Sequence, residues 1–145
     1  MPRILIADDS RFQIELLSKS LERQGFEVAS AFDALQAWMT ALRTAPDAII
    51  LDIHMPAGSG IEVLKRLKSS TKTRHIPVIV VSGNSELAVE ELAKRLGAVA
   101  FFHKPVEPVN LCDTLACVLS NGVDSHSTEG SLASEQMPDP PSNRE

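Results

Sequence analysis

Basic charge, cysteine and long apolar runs are all scarce in this sequence, and each shortage closes off a class of function. Lysine and arginine total 14 against 19 acids, for a formal net charge of -5. A nucleic-acid binder would instead carry a basic stripe. The two cysteines, Cys112 and Cys117, fall in one apolar segment, where a helix would not aim them at each other. Both read as reduced packing residues. Met1-Pro2-Arg3 leads directly into an apolar run too short for a signal core or a membrane span. These features predict a cytoplasmic chain in a reducing setting, with no nucleic-acid or membrane partner. The residues given after Leu119 hold no helix-turn-helix pattern, catalytic motif or basic patch, which fits a protein that acts by binding partners and equally a piece of a longer chain.

What is present, from Arg3 to about Leu119, is an alternation of short apolar runs with amphipathic stretches, the mark of a parallel sheet covered on both faces. The predicted strands are Ile4–Ala7, Phe26–Ala31, Ala48–Leu51 ending at Asp52, Pro77–Val81 and Val99–Phe102. Helices are predicted over Ser10–Arg23, Ala34–Arg43 with Asp33 as N-cap, Gly60–Lys68, Glu86–Leu96 and Val109–Leu119. Gly25 and Gly97 supply helix stops, and Pro46 closes the second helix. Trp38 and Met39 lie in that amphipathic helix and read as packing. The domain is expected to span residues 1–120. Residues 121–145 read as a disordered acidic tail or linker, rich in Ser and Pro and too poor in apolar groups to offset its ordering entropy.

In a sheet of this kind ligands bind at the carboxyl ends of the strands. There the sequence gathers Asp8-Asp9 after strand one, Asp52 after strand three, Ser82 after strand four and Lys104-Pro105 after strand five. Clustered carboxylates repel one another, and a hard oxygen-seeking ion such as Mg2+ relieves the repulsion. Asp9 and Asp52 are the expected direct ligands, with Asp8 direct or through water and the His54 backbone carbonyl as a further ligand. With a metal in place one carboxylate can act as nucleophile toward phosphorus, and Asp52 is the candidate. Lys104 would contact a phosphoryl oxygen as a point charge, and Ser82 could donate to another.

Taken together, Asp8-Asp9, Asp52-Ile53-His54-Met55-Pro56 with Gly60, Ser82-Gly83 and Lys104-Pro105 resemble the signature of response-regulator receiver domains of two-component systems, in order and in spacing. The likeness covers about Pro2 to Ser120 and points to the single-domain, chemotaxis-regulator-like kind. It implies an α/β fold, the flavodoxin-like doubly wound (βα)5 arrangement of strand order 2-1-3-4-5. It implies a signalling role, with Asp52 as phosphoacceptor and a sensor histidine kinase or histidine phosphotransfer protein as donor. Small phosphodonors would label Asp52 as well, and the domain would dephosphorylate itself. Phe101 matches an aromatic switch that turns inward when Ser82 moves toward the phosphate. The Lys104-Pro105 bond is expected to be cis, and His54 and Asn84 match positions that tune phosphate lifetime. Helix four, strand five and helix five form the expected output surface for a downstream protein, and a homodimer is admitted.

Each piece alone has a plainer reading. Asp8-Asp9 also fits a solvated turn and helix cap, Asp52 a strand end, Ser82-Gly83 a turn and Lys104-Pro105 a strand exit. Phe101 also fits a core aromatic, and Met55, Pro56 and Gly60 read as backbone-shaping residues. His54, His75 and His103 form no metal-ligand pattern and read as surface residues. An aspartyl-nucleophile phosphatase would place a second acid where His54 stands. A flavodoxin-like cofactor carrier would not place Asp8-Asp9 against a phosphate. A receiver that only docks, without phosphorylation, would not need every chemical position filled.

Overall fold

The computed structural model describes residues 1–55, 59–83 and 87–124, with side chains through Ser120. Five parallel strands form one sheet in the order β2-β1-β3-β4-β5, where β1 is Arg3–Ala7, β2 Glu27–Ala31, β3 Ala48–Asp52, β4 Val78–Ser82 and β5 Ala100–His103. The helices are α1 (Arg11–Arg23), α2 (Ala34–Thr44), α3 (Gly60–Ser69), α4 (Leu87–Arg95) and α5 (Pro108–Asp124). Two compact units divide the chain, Met1–Leu115 and Ala116–Glu145. All five strands belong to the first. In the second, the described residues Ala116–Asp124 are helical.

Every residue of β3 and β4 is buried, their apolar runs Ala48–Leu51 and Val78–Val81 as a doubly covered sheet requires, and the polar Asp52 and Ser82 that end them as well. Side chains alternate across the sheet. Leu5, Ala7, Ile49, Leu51, Val78 and Val80 join one cluster with Ala34, Ala37 and Ala41 of α2, Val63, Leu64 and Leu67 of α3 and Ala93 of α4. Their alternates Ile4, Ile6, Ile50, Ile79 and Val81 are buried outside that cluster, as are Ile14, Leu17 and Leu21 of α1 and Leu111 of α5. Helices therefore cover both faces.

The local signals act largely as read. Ser10 caps α1 by accepting from the Gln13 amide at 3.1 Å, and Asp33 caps α2 by accepting from Gln36 at 2.8 Å. Gly25 and Gly97 take positive φ, 95° and 113°, just past the ends of α1 and α4. α2 stops directly before Pro46: Ala45 is left-handed at φ 46°, and its amide donates to the Ala41 carbonyl at 3.1 Å. Pro46 disfavours a right-handed helical conformation in the residue before it, so the cap falls on an alanine. Strand β5 is shifted one residue toward Lys104. Helix α5 runs past the expected Leu119 through Asp124. Trp38 packs against the core under the Arg66 guanidinium, 4.8 Å from its ring centroid, whereas Met39 is exposed. Pro56, Asn84, Glu86 and the expected tail from Ser125 onward lie outside the described residues.

Candidate functional site

Parallel pairing in register brings the carboxyl ends of β1, β3, β4 and β5 to one edge of the sheet. The Asp8 amide continues the ladder beyond β1 by donating to the Ala31 carbonyl at 3.0 Å. Asp8 Oδ1 accepts from the Ser10 amide at 2.9 Å, which leaves Oδ2 turned to Lys104 Nζ at 3.1 Å. Asp52 divides its oxygens in the same way. Its Oδ1 accepts from the His54 amide at 3.2 Å, and its Oδ2 lies 3.2 Å from Lys104 Nζ. Carboxylate oxygens of Asp8, Asp9 and Asp52 lie within 4.8 Å of one another, with Asp9 exposed and the other two buried.

Two backbone features hold these groups in place. The Gly60 amide donates to the Ile53 carbonyl at 2.8 Å, and His54 and Ser59 form an isolated antiparallel bridge. A Cβ at position 60 would strike the Asp52 carbonyl oxygen and lie 2.6 Å from the Ile53 Cα, so only glycine fits. Gly60 is thus a shaping residue, as read. The Lys104 amide donates to the Ser82 carbonyl at 2.9 Å, and the Lys104-Pro105 peptide is cis.

The electrostatics follow from burial. Burial pushes the Asp52 carboxyl above its ordinary range, against the pull of the Lys104 ammonium and with the help of Asp8. Burial works against the Lys104 charge too, but Asp52 and then Asp8 outweigh it and hold the ammonium above its ordinary value. Three carboxylates against one ammonium leave two negative charges in excess when all are ionised (-3 and +1). An oxygen-only donor set with that excess fits a hard divalent cation, so the cluster could hold a metal.

The structure brings together Asp8, Asp9, Asp52 and Lys104, and places the fully buried Ser82 at the same edge. Phe101 is not among them. It sits on β5 opposite Val80, half-buried against the core cluster. His54, His75 and His103 are exposed, as expected. Sequence reasoning passed over His103, however, whose ring meets that of Phe101 edge-on with centroids 5.1 Å apart. The available signal was strand alternation: residues 101 and 103 share a face. Among the described residues, no helix is long and apolar enough to cross a membrane.

Comparison with known proteins agrees with this geometry. The response regulator receiver domain model matches residues 4–116. The polar-differentiation response regulator DivK of Brucella anthropi is 32% identical over 122 residues, covering 83% of this chain and 99% of DivK. The response regulator PleD of Caulobacter vibrioides is 36% identical over 109 residues, covering 75% of this chain but only 24% of PleD. The chain therefore spans about a quarter of that longer relative. Among solved structures, a CheY-like receiver domain protein of Methanospirillum hungatei superimposes with a TM-score of 0.81 at 26% identity, covering 86% of this chain and 98% of that one. The chemotaxis protein CheY4 of Vibrio cholerae does so with a TM-score of 0.76 at 29% identity, covering 81% and 98%. Receiver domains of response regulators interact with histidine kinases or phosphotransfer proteins in signalling. With the acid cluster, the strand order and the matched span in agreement, this chain belongs to the response-regulator receiver domains of two-component signalling.

Proposed function

We propose that this receiver works by accepting a phosphoryl group on Asp52. One observation carries the reading: the buried Asp52 carboxylate ends a central strand and shares the Lys104 ammonium with a second buried acid, Asp8. The donor is the phosphohistidine of a sensor histidine kinase or histidine phosphotransfer protein. An Asp52 oxygen bonds to phosphorus, the P–N bond breaks, and the departing imidazole keeps the electron pair and takes up a proton. A small acyl phosphate serves equally, with its P–O bond breaking and the carboxylate leaving. Water later attacks the phosphorus and returns the Asp52 carboxylate and inorganic phosphate.

Asp9 and Asp52 would hold Mg2+ directly, Asp8 directly or through water, and the His54 carbonyl as a further ligand. Bound there, the ion offsets charge on the phosphoryl oxygens. Lys104 meets one phosphoryl oxygen, and Ser82 moves to donate to another. Phe101 turns inward behind Ser82, and the surface of α4, β5 and α5 passes to a second arrangement that a downstream protein, or a second copy in a homodimer, can sense. Residues 1–120 are the working domain, and the setting is cytoplasmic.

The test is intact mass after incubation with acetyl phosphate, with and without Mg2+, for the wild type and Asp52→Asn. A Mg2+-dependent, alkali-labile adduct in the wild type alone is expected. An adduct of the same stability on Asp52→Asn would sink the assignment.

A further inference from the structure

Strand β5 carries a chain of contacts that the acid cluster does not use. Phe101 and His103 point to one side of the strand, and their rings meet edge-to-face at an interplanar angle of 67°. His103 Nε2 lies 3.4 Å from Glu90 Oε1 on α4. The other oxygen of that carboxylate, Oε2, accepts from Lys94 Nζ at 3.0 Å, so Glu90 is held from its own helix and bridges to the strand. His103 also lies beside Ser82 in the β4–β5 register and precedes Lys104 in the chain. One end of this chain of contacts is therefore anchored to α4, and the other is the half-buried Phe101 ring.

We infer that Glu90 and His103 form a latch that holds Phe101 in its half-buried position, and that His103 is a positioning residue for the switch. This rests on the roles proposed for Asp52 and Phe101. For the Phe101 ring to turn inward it must leave the imidazole, and the imidazole is held by the Glu90 carboxylate. The contact between α4 and β5 thus contributes to the free-energy gap between the two arrangements. Partly exposed polar contacts and single ring contacts are modest individually, so the latch biases the equilibrium without locking it.

The test uses the full chain with 13C-labelled phenylalanine rings, the Phe101 signal being assigned with Phe101→Leu. Spectra of the wild type, Glu90→Gln, His103→Ala and the double variant are taken free and with beryllofluoride and Mg2+. Glu90→Gln is the informative variant, since it keeps both rings and weakens only the carboxylate's hold. Its free Phe101 signal is expected to lie part way toward the beryllofluoride position, and its apparent affinity for beryllofluoride to rise about two- to fivefold. The double variant should show no more gain than His103→Ala alone, because both substitutions open one latch. If the wild type binds beryllofluoride and the Glu90→Gln signal and affinity match the wild type, the latch alone is overturned. If no protein binds beryllofluoride, the Asp52 reading fails and the latch falls with it.

Discussion

Gly60 is packed directly against the backbone of Ile53, so that the first carbon of any side chain at position 60 would lie 2.6 Å from the Ile53 Cα. That closeness ties the start of α3 to the end of β3, one residue beyond Asp52. Gly60→Ala must push the two apart. It is expected to cost about 1–3 kcal/mol in urea unfolding, the usual penalty for overpacking a filled site. Mg2+ binding, followed by titration, should weaken in the same variant because Asp52 shifts with its backbone.

A second prediction concerns pH. The folded pKa of Asp52 lies above its ordinary carboxyl value of 3.8, chiefly through burial. The fold therefore favours the protonated acid, and metal-free protein loses stability as the pH rises from that ordinary value through the raised one. Asp52→Asn cannot ionise. In EDTA at neutral pH its thermal midpoint should exceed that of the wild type, and the gap should close as the pH is lowered toward about 4. Added Mg2+ should raise the wild-type midpoint and leave the variant nearly unmoved. A wild type more stable than Asp52→Asn without metal would contradict the sign.

Lys104→Met separates two roles of one ammonium. Removing the charge leaves Asp8 and Asp52 facing each other with no counter-ion, so Mg2+ should bind more tightly. The phosphoryl group would lose a charged contact, and labelling by acetyl phosphate should slow by about a hundredfold, the order seen when one aimed donor is removed from a reacting centre. Tighter metal with slower labelling is the expected pair of results in titration and mass kinetics. Weaker metal binding would show that Lys104 organises the acids rather than opposing the ion.

Lys68 sits near the start of β4 rather than at its carboxyl end. Lys68 Nζ donates to the carbonyls of Arg74 at 3.1 Å and Ile76 at 2.8 Å, while its stem passes beside Gly97. Lys68→Ala removes the donor and the covering methylenes together, and is expected to cost about 1–3 kcal/mol. Lys68→Met restores the stem but not the donor. It should recover part of the loss in thermal unfolding, and a full recovery would assign the whole effect to packing.

The fold was legible because its signals are local. The first four residues of β3 and of β4 are unbroken apolar runs, and Ser10, Asp33, Gly25 and Gly97 each punctuate a helix by chemistry within a few residues of itself. The acids and Lys104 were legible for a related reason, since each ends a strand and parallel strands end together. The Ala45 cap was not, because an alanine carries no mark of a left-handed backbone and only its proline neighbour excludes the alternative. Nor was the link from Glu90 to His103, whose partners come from different elements and meet through the packing of α4 beside β5. The β5 shift of one residue matters for the same reason, as it carries His103 into the strand beside Ser82.

The 3.1 Å contact between Asp8 and Lys104 joins the end of the first strand in the chain, β1, to the end of the last, β5. Nothing between those two residues can complete the site without them, and in a parallel sheet each strand must await a crossover before it pairs. During synthesis the acids emerge first and their ammonium last. A nascent chain halted before Lys104 thus carries the carboxylate proposed as acceptor without its cation, and on that proposal competence to receive a signal arrives only as the fold closes.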